Sequence, residues 1–267
     1  MAILTISREF GSGGREIGRA VAGLLGYDYV NKERILDDIK ASGKEWEARS
    51  KDLDEHNPTT WEKYDWSYRG FGALLQSHVL NHALKDNVVI MGRGGNFLVG
   101  DIPYALSIRV TAPLEQRIER IMKRESVDRG TALWLAEKTD KERAGFILAL
   151  YHKHWENPSE YDMTFDLGTK NIDEIVQIVK DKLLERDKFN TVEARKVLEM
   201  KAIAAKVRAG ILTDPGFLLP TLDIFYDEKA IILKGTIHNP SEHKRLEDAA
   251  KRLAGDVPVR CELHYRV

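Results

Sequence analysis

A glycine-rich turn between a short apolar run and an amphipathic run constrains the fold of this chain most. Residues 3–6 read as a strand, and a helical pattern begins near Arg15. The segment between them, SREFGSGGRE at residues 7–16, holds three glycines within four positions. Glycine lets backbone N–H groups converge without Cβ clashes, and the helix N-terminus behind them adds a positive dipole end. The turn therefore predicts a site for a phosphorylated molecule.

The turn departs from the usual phosphate-loop sequence, in which a lysine and a hydroxyl residue follow the last glycine. Aligning that glycine on Gly13 places Gly14 at the lysine position and Arg15 at the hydroxyl position. Either Arg15 supplies the missing cation as a bidentate fork, or the loop binds phosphate without catalysing its transfer. A third interpretation is a turn that only closes a tight corner. A dinucleotide fingerprint fits worse, because its third glycine would fall at Glu16.

Composition limits the partners of the chain. The 267 residues carry a formal net charge of −1, which gives no overall field for nucleic acid or an anionic membrane. No apolar run has the length of a membrane span, and the residues before Arg8 are too few for a signal peptide. The cytoplasm is therefore the predicted compartment. The single cysteine, Cys261, excludes an internal disulfide and a cysteine-based zinc site, and is expected to be a core side chain.

Strand-like runs alternate with helical runs over the first two thirds of the chain. The strands are predicted at residues 3–6, 28–30, 88–91, 106–110 and 162–166. This order predicts a parallel sheet with helices on both faces and with ligands at the carboxyl ends of its strands. A second glycine turn, residues 92–96, follows the third strand and carries Arg93. Arg93 is a candidate ligand contact, and the alternative is a solvated turn.

Two charged segments accompany this pattern. Residues 41–70 mix charges with tryptophans and tyrosines, and we interpret them as an inserted helical cap whose aromatics mostly pack a small subdomain. Residues 113–125 form a helical pattern with Arg117, Arg120 and Arg124 on one stripe. A long polar segment of the kind that forms lids follows and includes Arg143. Such cations are either solvated or arranged for an anionic ligand.

The order of these motifs resembles the cytidylate kinase-like family. The likeness is carried by the first glycine turn, by Gly92-Arg93-Gly94, by the strand at 105–112 before the arginine helix, and by segments 140–143 and 161–163. It extends to about Arg186. The resemblance implies a P-loop NTPase-type α/β domain with a parallel five-stranded sheet, and transfer of the γ-phosphoryl group of ATP to CMP or dCMP with Mg²⁺.

The resemblance also implies roles for single residues. Donor phosphates would be held by the loop, namely Gly11, Ser12, Gly13, Gly14, Arg15 and Glu16. Arg93 would hold the acceptor monophosphate, and Asp140 would orient the acceptor sugar or base. Arg15, Arg120, Arg124 and Arg143 are the implied catalytic cations. No protein metal ligand is assigned. Met91 stands where better-known members carry an acidic residue, so Glu16 either helps to hold Mg²⁺ or is only a carboxylate favoured at a helix start.

The pattern changes after Asp187. A helix, two strands joined at residues 227–229, another helix and a last strand predict a small α-β-β-α-β unit with one wet sheet face. In the last strand Cys261, Leu263, Tyr265 and Val267 are predicted to share one face. The unit resembles a BON domain, which gives two predicted domains, residues 1–187 and 191–267. The second is expected to regulate or assemble the protein, either by docking a protein partner or a second copy of the chain in a homo-oligomer, or by sensing a small ligand.

Two functions of different classes follow. One is a nucleoside monophosphate kinase with a degenerate phosphate loop. The other is a catalytically silent nucleotide-binding sensor that uses the same pocket and acts through the C-terminal unit.

Overall fold

The first part of the chain forms a five-stranded sheet in the order β2-β3-β1-β4-β5, and every pairing in it is parallel. The computed structural model describes residues 2–54, 56–217 and 219–265. The strands are β1 Ile3–Arg8, β2 Asp28–Val30, β3 Val88–Met91, β4 Ala105–Thr111 and β5 Met163–Asp166. The predicted sheet is confirmed. β1 continues two residues beyond its predicted end, and so brings Arg8 to the carboxyl edge of the sheet.

Helices cover both faces of this sheet, as predicted. They are α1 Gly14–Leu25, α2 Lys32–Ala41, α3 Lys44–Leu53, α4 Trp66–Ala83, α5 Gly95–Val99, α6 Leu114–Glu125, α7 Arg129–Tyr151 and α8 Ile172–Asp187. On one face Ile17 and Val179, from α1 and α8, pack on Leu4. On the other face Phe71 of α4 packs on Ile3. Neighbouring residues of β1 thus face different cores, as expected for a parallel strand buried on both sides.

The inserted segment packs mainly through its aromatic side chains. Trp46 is 1% exposed and lies 5.5 Å from Trp66 between ring centroids. A side chain at Gly70 would meet the Trp46 ring, since a Cβ there would lie 2.6 Å from it. Trp61 and Tyr64, by contrast, are 85% and 69% exposed. The tryptophan pair therefore fastens α3 to α4, as the packing interpretation expected.

A second, three-stranded sheet lies in the C-terminal part, in the predicted α-β-β-α-β order. Its elements are α9 Val192–Leu212, β6 Asp223–Tyr226, β7 Ile231–Ile237, α10 Pro240–Ala254 and β8 Val259–Tyr265. β7 pairs antiparallel with β6 and parallel with β8. Along β8, Cys261 and Leu263 alternate with exposed neighbours, whereas Tyr265 is 48% exposed. The prediction for Val267 lies outside the described residues.

Helix α9 is buried on two sides. Leu198 and Leu212 belong to the core that contains Phe71 of α4. Val207 and Ile211 belong to the core of the three-stranded sheet. Helix α9 therefore contributes side chains to both hydrophobic cores. In the described ranges, no helix is both long enough and apolar enough to cross a bilayer.

Candidate functional site

The glycine turn forms a closed loop between β1 and α1. Gly11 and Gly13 have φ values of 80° and 92°, in the left-handed region that side chains rarely adopt. A Cβ at Gly11 would lie 2.8 Å from the carbonyl oxygen of Arg117. Ser12 is 1% exposed, and its hydroxyl has no hydrogen-bond partner among the described residues. The loop thus offers backbone N–H groups at a helix N-terminus and a hydroxyl whose bonding capacity is open to a ligand.

Helices α6 and α7 hold this loop by its backbone. Arg117 donates from Nε to the carbonyl oxygen of Phe10 at 2.8 Å, and Arg120 donates to that of Gly11 at 3.4 Å. Asp140 accepts from the Phe10 N–H at 2.8 Å and pairs with Arg117. The structure therefore places Asp140 and Arg120 against the loop backbone, where they fix its shape. The family likeness had implied a contact of Asp140 with the acceptor sugar or base.

Arg8 was not singled out from the sequence, yet it crosses the centre of the site. A Cβ on Gly14 would lie 2.7 Å from the Cβ of Arg8, so the Arg8 stem occupies the side-chain space of position 14. A Cβ on Gly92 would overlap Nη1 of Arg8. At both glycines the Arg8 side chain occupies the space that a Cβ would need. This side chain runs from the first glycine turn to the second.

Three adjoining clefts open at the carboxyl edge of the sheet. The loop cleft includes Ser12, Arg15, Glu16 and Arg124. The inner cleft includes Arg93, Asn96 and Trp155, and the outer cleft includes Arg15, Lys32 and Asp54. Arg8 and Arg143 line all three. Burial raises the pKa of Tyr29 in the outer cleft, and the charges of Arg19, Arg15 and Arg8 oppose that rise. Several cationic side chains therefore line this edge, accompanied by carboxylates such as Glu16 and Asp54.

Arg93 lies in the second glycine turn, where Gly92, Arg93 and Gly94 all have positive φ values of 72°, 59° and 68°. Arg93 is 3% exposed, and its Nη2 donates to Oδ2 of Asp54 at 3.0 Å. Lys32 reaches the same oxygen at 2.6 Å. Asp54 comes from the inserted segment, and no pattern around it marked it in the sequence. Its buried carboxylate compensates two cations that face the clefts.

The guanidinium groups of Arg143 and Arg124 both lie over the Phe10 ring. The Arg143 guanidinium lies 5.6 Å from the ring centroid, and that of Arg124 lies at 4.6 Å. Arg143 is 8% exposed and donates to the carbonyl oxygen of Arg8 at 3.1 Å. The structure thus brings Arg15, Arg93, Arg124 and Arg143 to the clefts, together with Arg8.

Among the described residues, one group of three metal-ligating side chains lies close together, far along the chain from the loop. Ligand atoms of His243, Glu247 and Cys261 lie within 4.8 Å of one another. Glu247 is paired with Lys251 at 2.6 Å, and Nδ1 of His243 is bonded to the Tyr265 hydroxyl. The sequence argument against a cysteine-based site had overlooked this mixed group. Two of its members already have protein partners.

Residues 3–169, more than half of the chain, match the cytidylate kinase-like family. The chain belongs to this family.

Individual comparisons give relatives with different names. A cytidylate kinase of Pyrobaculum calidifontis is 28% identical over 182 residues, which are 68% of this chain and 92% of the relative. A solved structure of an uncharacterized protein from Eubacterium ventriosum shares the fold, with a TM-score of 0.55, 21% identity, and coverage of 68% and 98%. A uronate isomerase of Corynebacterium glutamicum is 29% identical over 97 residues, and the match spans 36% of this chain and 19% of that protein.

Proposed function

We propose that the protein is a nucleoside monophosphate kinase that transfers the γ-phosphoryl group of ATP to CMP or dCMP. The observation that carries the proposal is the pair Arg8 and Arg143, which line the loop cleft, the inner cleft and the outer cleft alike. A phosphoryl group that moves between two phosphates needs cations in contact with both. Family membership and the similarity to the Pyrobaculum calidifontis cytidylate kinase support this reaction.

The donor phosphates are assigned to the loop. Gly11, Gly13 and Gly14 leave the backbone N–H groups accessible, and the buried hydroxyl of Ser12 donates to a phosphate oxygen. Arg15 is exposed at the first turn of α1 and faces the loop and outer clefts. In the sequence, Arg15 was the candidate for the cation that replaces the missing lysine. Because the Arg8 stem fills the space at Gly14, we assign it to Arg8, with Arg15 as a second cation.

The acceptor monophosphate is assigned to the inner cleft. Arg93 and Arg143 supply guanidinium forks there, and the Asp54 carboxylate holds Arg93 in place until the phosphate arrives. Arg120, Arg117 and Asp140 position the loop, and Arg124 covers its rim beside Phe10. These positioning contacts keep the amides fixed while charge builds on the transferred oxygens.

Mg²⁺ fits the same cleft. The Glu16 carboxylate is exposed on the first turn of α1 and lines the loop cleft, so it is a hard oxygen ligand beside the donor phosphates. The ion would neutralise phosphate charge there, and it keeps most of its ligands as water and phosphate oxygens.

The C-terminal part is proposed as a BON-like regulatory or assembly domain, residues 191–267, behind the kinase domain of residues 1–187. Support comes from the α-β-β-α-β order and from α9, which packs on α4 and on the three-stranded sheet at once. The cytoplasm, where ATP is abundant, stays the predicted compartment.

The test is ADP production from ATP across a panel of nucleoside monophosphates, with direct binding measured on the same protein. Turnover with CMP or dCMP that falls at least about 100-fold in Arg8→Met and Arg93→Met is the expected result. Arg252→Met, at an exposed position on α10 outside the three clefts, is the matched control and should retain turnover. Tight nucleotide binding without turnover would instead support the sensor, which Gly14 at the lysine position and Met91 favour.

A further inference from the structure

A pocket that no step of the proposed reaction uses lies where α4, the end of α7 and α9 meet. We call it the boundary pocket. Its lining includes three cationic side chains, Lys63, Arg69 and Arg208, and no acidic one among the residues that the structure describes. Two tyrosines, Tyr64 and Tyr68, and the amide of Gln76 also line it. Arg69 and Arg208 belong to different helices and come together only through the packing of α4 on α9.

The two arginines carry charge that the protein does not neutralise. Arg69 donates to the backbone carbonyls of Leu219 at 3.0 Å and Leu222 at 3.4 Å, and Arg208 donates to Oε1 of Gln76 at 2.7 Å. All three acceptors are neutral. Within the described residues, neither guanidinium forms an ion pair. Burial lowers the pKa of both arginines, the charge of Arg208 lowers that of Arg69 further, and the Asp223 carboxylate opposes the decrease at both arginines without pairing with either.

Two polar atoms in the pocket wall also lack partners among the described residues. They are the buried Nε of Arg208 and the hydroxyl of Tyr68, a residue only 2% exposed. A buried donor without an acceptor costs about 1–3 kcal/mol, and more when it is charged. Burying two neighbouring cations costs more still unless an anion accompanies them. The cationic lining and these buried donors therefore match the charge and the acceptor oxygens of an anion.

We propose that the boundary pocket binds a phosphorylated small molecule. Two guanidinium forks and an ammonium group match the two or more negative charges and the several acceptor oxygens of a phosphoryl group. The ring of Tyr64, 69% exposed at the rim, offers a face to the rest of the ligand. This site is separate from the loop cleft and the inner cleft, whose lining residues it does not share.

The pocket also lies next to a residue that contacts the acceptor turn. Gln76, which accepts from Arg208, also lies near the Tyr151 hydroxyl and lowers its pKa slightly against the larger effect of burial. That hydroxyl donates to the carbonyl oxygen of Arg93 at 2.7 Å. A Cβ on Gly94 would overlap the Tyr151 ring, so the turn and this ring are in close contact. A ligand that draws Arg208 away from Gln76 would thus act on the turn that carries Arg93.

The experiment is calorimetric titration of the full chain with pyrophosphate. Wild type should bind at two classes of site. Arg208→Gln should weaken one class about ten-fold or more, the loss of one charge-assisted hydrogen bond, and Arg8→Gln, at a residue of the loop and inner clefts, should weaken only the other. If Arg208→Gln binds as wild type does, or if Arg8→Gln abolishes all binding, the boundary site does not exist.

A rim substitution protects the test against misfolding of the buried variant. Lys63→Gln changes an exposed side chain and should weaken the boundary class a few-fold. Lys51→Gln, exposed on α3 outside the pocket, is its control and should change nothing. Equal titrations of the two lysine variants would overturn the proposal. A single-stranded oligonucleotide that binds more tightly than pyrophosphate and is lost in Arg208→Gln would also overturn it, in favour of nucleic acid.

The connection to the acceptor turn has a separate readout, which rests on the proposed function. Pyrophosphate that saturates the boundary pocket should shift the affinity of the protein for CMP. Tyr151→Phe removes the hydroxyl that bonds to the acceptor turn and should abolish that shift. An unchanged CMP affinity in wild type overturns the connection. Absence of phosphoryl transfer would overturn the proposed function alone, since the pyrophosphate titration does not depend on turnover.

Discussion

The parallel sheet and the three-stranded sheet treat polar side chains differently. Around the parallel sheet, Arg93, Arg109, Arg117, Arg143 and Asp54 are buried. In the described residues of β6, β7, α10 and β8, the buried side chains are apolar. Buried charge costs free energy unless partners compensate it, so a fold that keeps several such groups at one edge has a use for them there. The difference supports the proposal that the chemistry takes place at the carboxyl edge of the parallel sheet.

The three-stranded sheet, by contrast, has the properties of a packing unit. Half-buried and exposed side chains alternate along β8, whereas Ile231, Ile232 and Leu233 at the start of β7 are all fully buried, and this apolar surface closes a small core against α9 and α10. A ligand of this part would therefore bind at its surface or at its border with α4. The boundary pocket lies at that border.

Substitution of Arg143 gives the largest expected effect and tests the first half of the comparison. Arg143→Met should lower kcat/KM for CMP phosphorylation by about 10²- to 10³-fold, because the side chain faces all three clefts. Arg129→Met, on the same helix but exposed and paired with Glu115, should stay within about two-fold of wild type. Full activity of folded Arg143→Met would show that its buried charge serves stability alone.

A cavity in the three-stranded unit tests the second half. Leu246 is fully buried on α10, and Leu246→Ala should lower the free energy of unfolding by about 3 kcal/mol. Denaturant titration measures this, and Phe225→Ala, at a side chain 39% exposed, should cost less than about 1 kcal/mol. Turnover per folded molecule should not change. Loss of turnover in folded Leu246→Ala would extend the catalytic site into this unit.

Asp54 sharpens the comparison within the parallel half. Asp54→Asn removes the negative charge between Lys32 and Arg93 but keeps an acceptor oxygen, so we expect a loss of about 2 kcal/mol in unfolding free energy. Added inorganic phosphate should stabilise this variant more than wild type, because two cations have lost their carboxylate. Asp52→Asn is the exposed control. Equal stability of the two variants would contradict the compensation argument.

The smallest effect concerns Cys261. Burial and the Glu247 carboxylate raise the pKa of its thiol, so less thiolate is present at a given pH than in a free cysteine. Alkylation at pH 8 should be several-fold slower in the folded protein than in urea, with no loss of turnover. Since this is the single cysteine of the chain, mass spectrometry reports it directly. Equal rates in folded and unfolded protein would place the thiol in solvent.

Sequence reasoning located the strands because hydrophobic periodicity is a local signal. It also found both glycine turns, whose backbone conformations require glycine. It did not find Arg8, since the strand pattern fades at Ser7 and nothing marks the last strand residue. Gly14 was the feature of the sequence that could have indicated Arg8. It is a glycine where a lysine is usual, and the Arg8 side chain fills the space that a side chain at position 14 would need.

Other site residues were out of reach for a different reason. Asp54 meets Arg93 across 39 positions of chain, through an insertion whose path only tertiary packing decides. Arg208 and Gln76 meet across 132 positions. Neither contact leaves a periodic pattern. Asp140 was noticed, but its partner, the Phe10 amide, lies 130 positions away, and so its place against the loop could not be read from its neighbours.

Helix α9, buried on two sides, has a consequence for how the protein ages and is degraded. A chain cut at residue 190 would expose the apolar flank of α4 that Leu198 and Leu212 now cover. Protease nicking or a premature stop in that region should therefore not release a working kinase fragment. It should leave a fragment with an exposed apolar surface, which aggregates readily and is removed by quality-control proteases. The two parts of the chain should therefore be degraded together, and the boundary pocket should be lost together with the loop cleft.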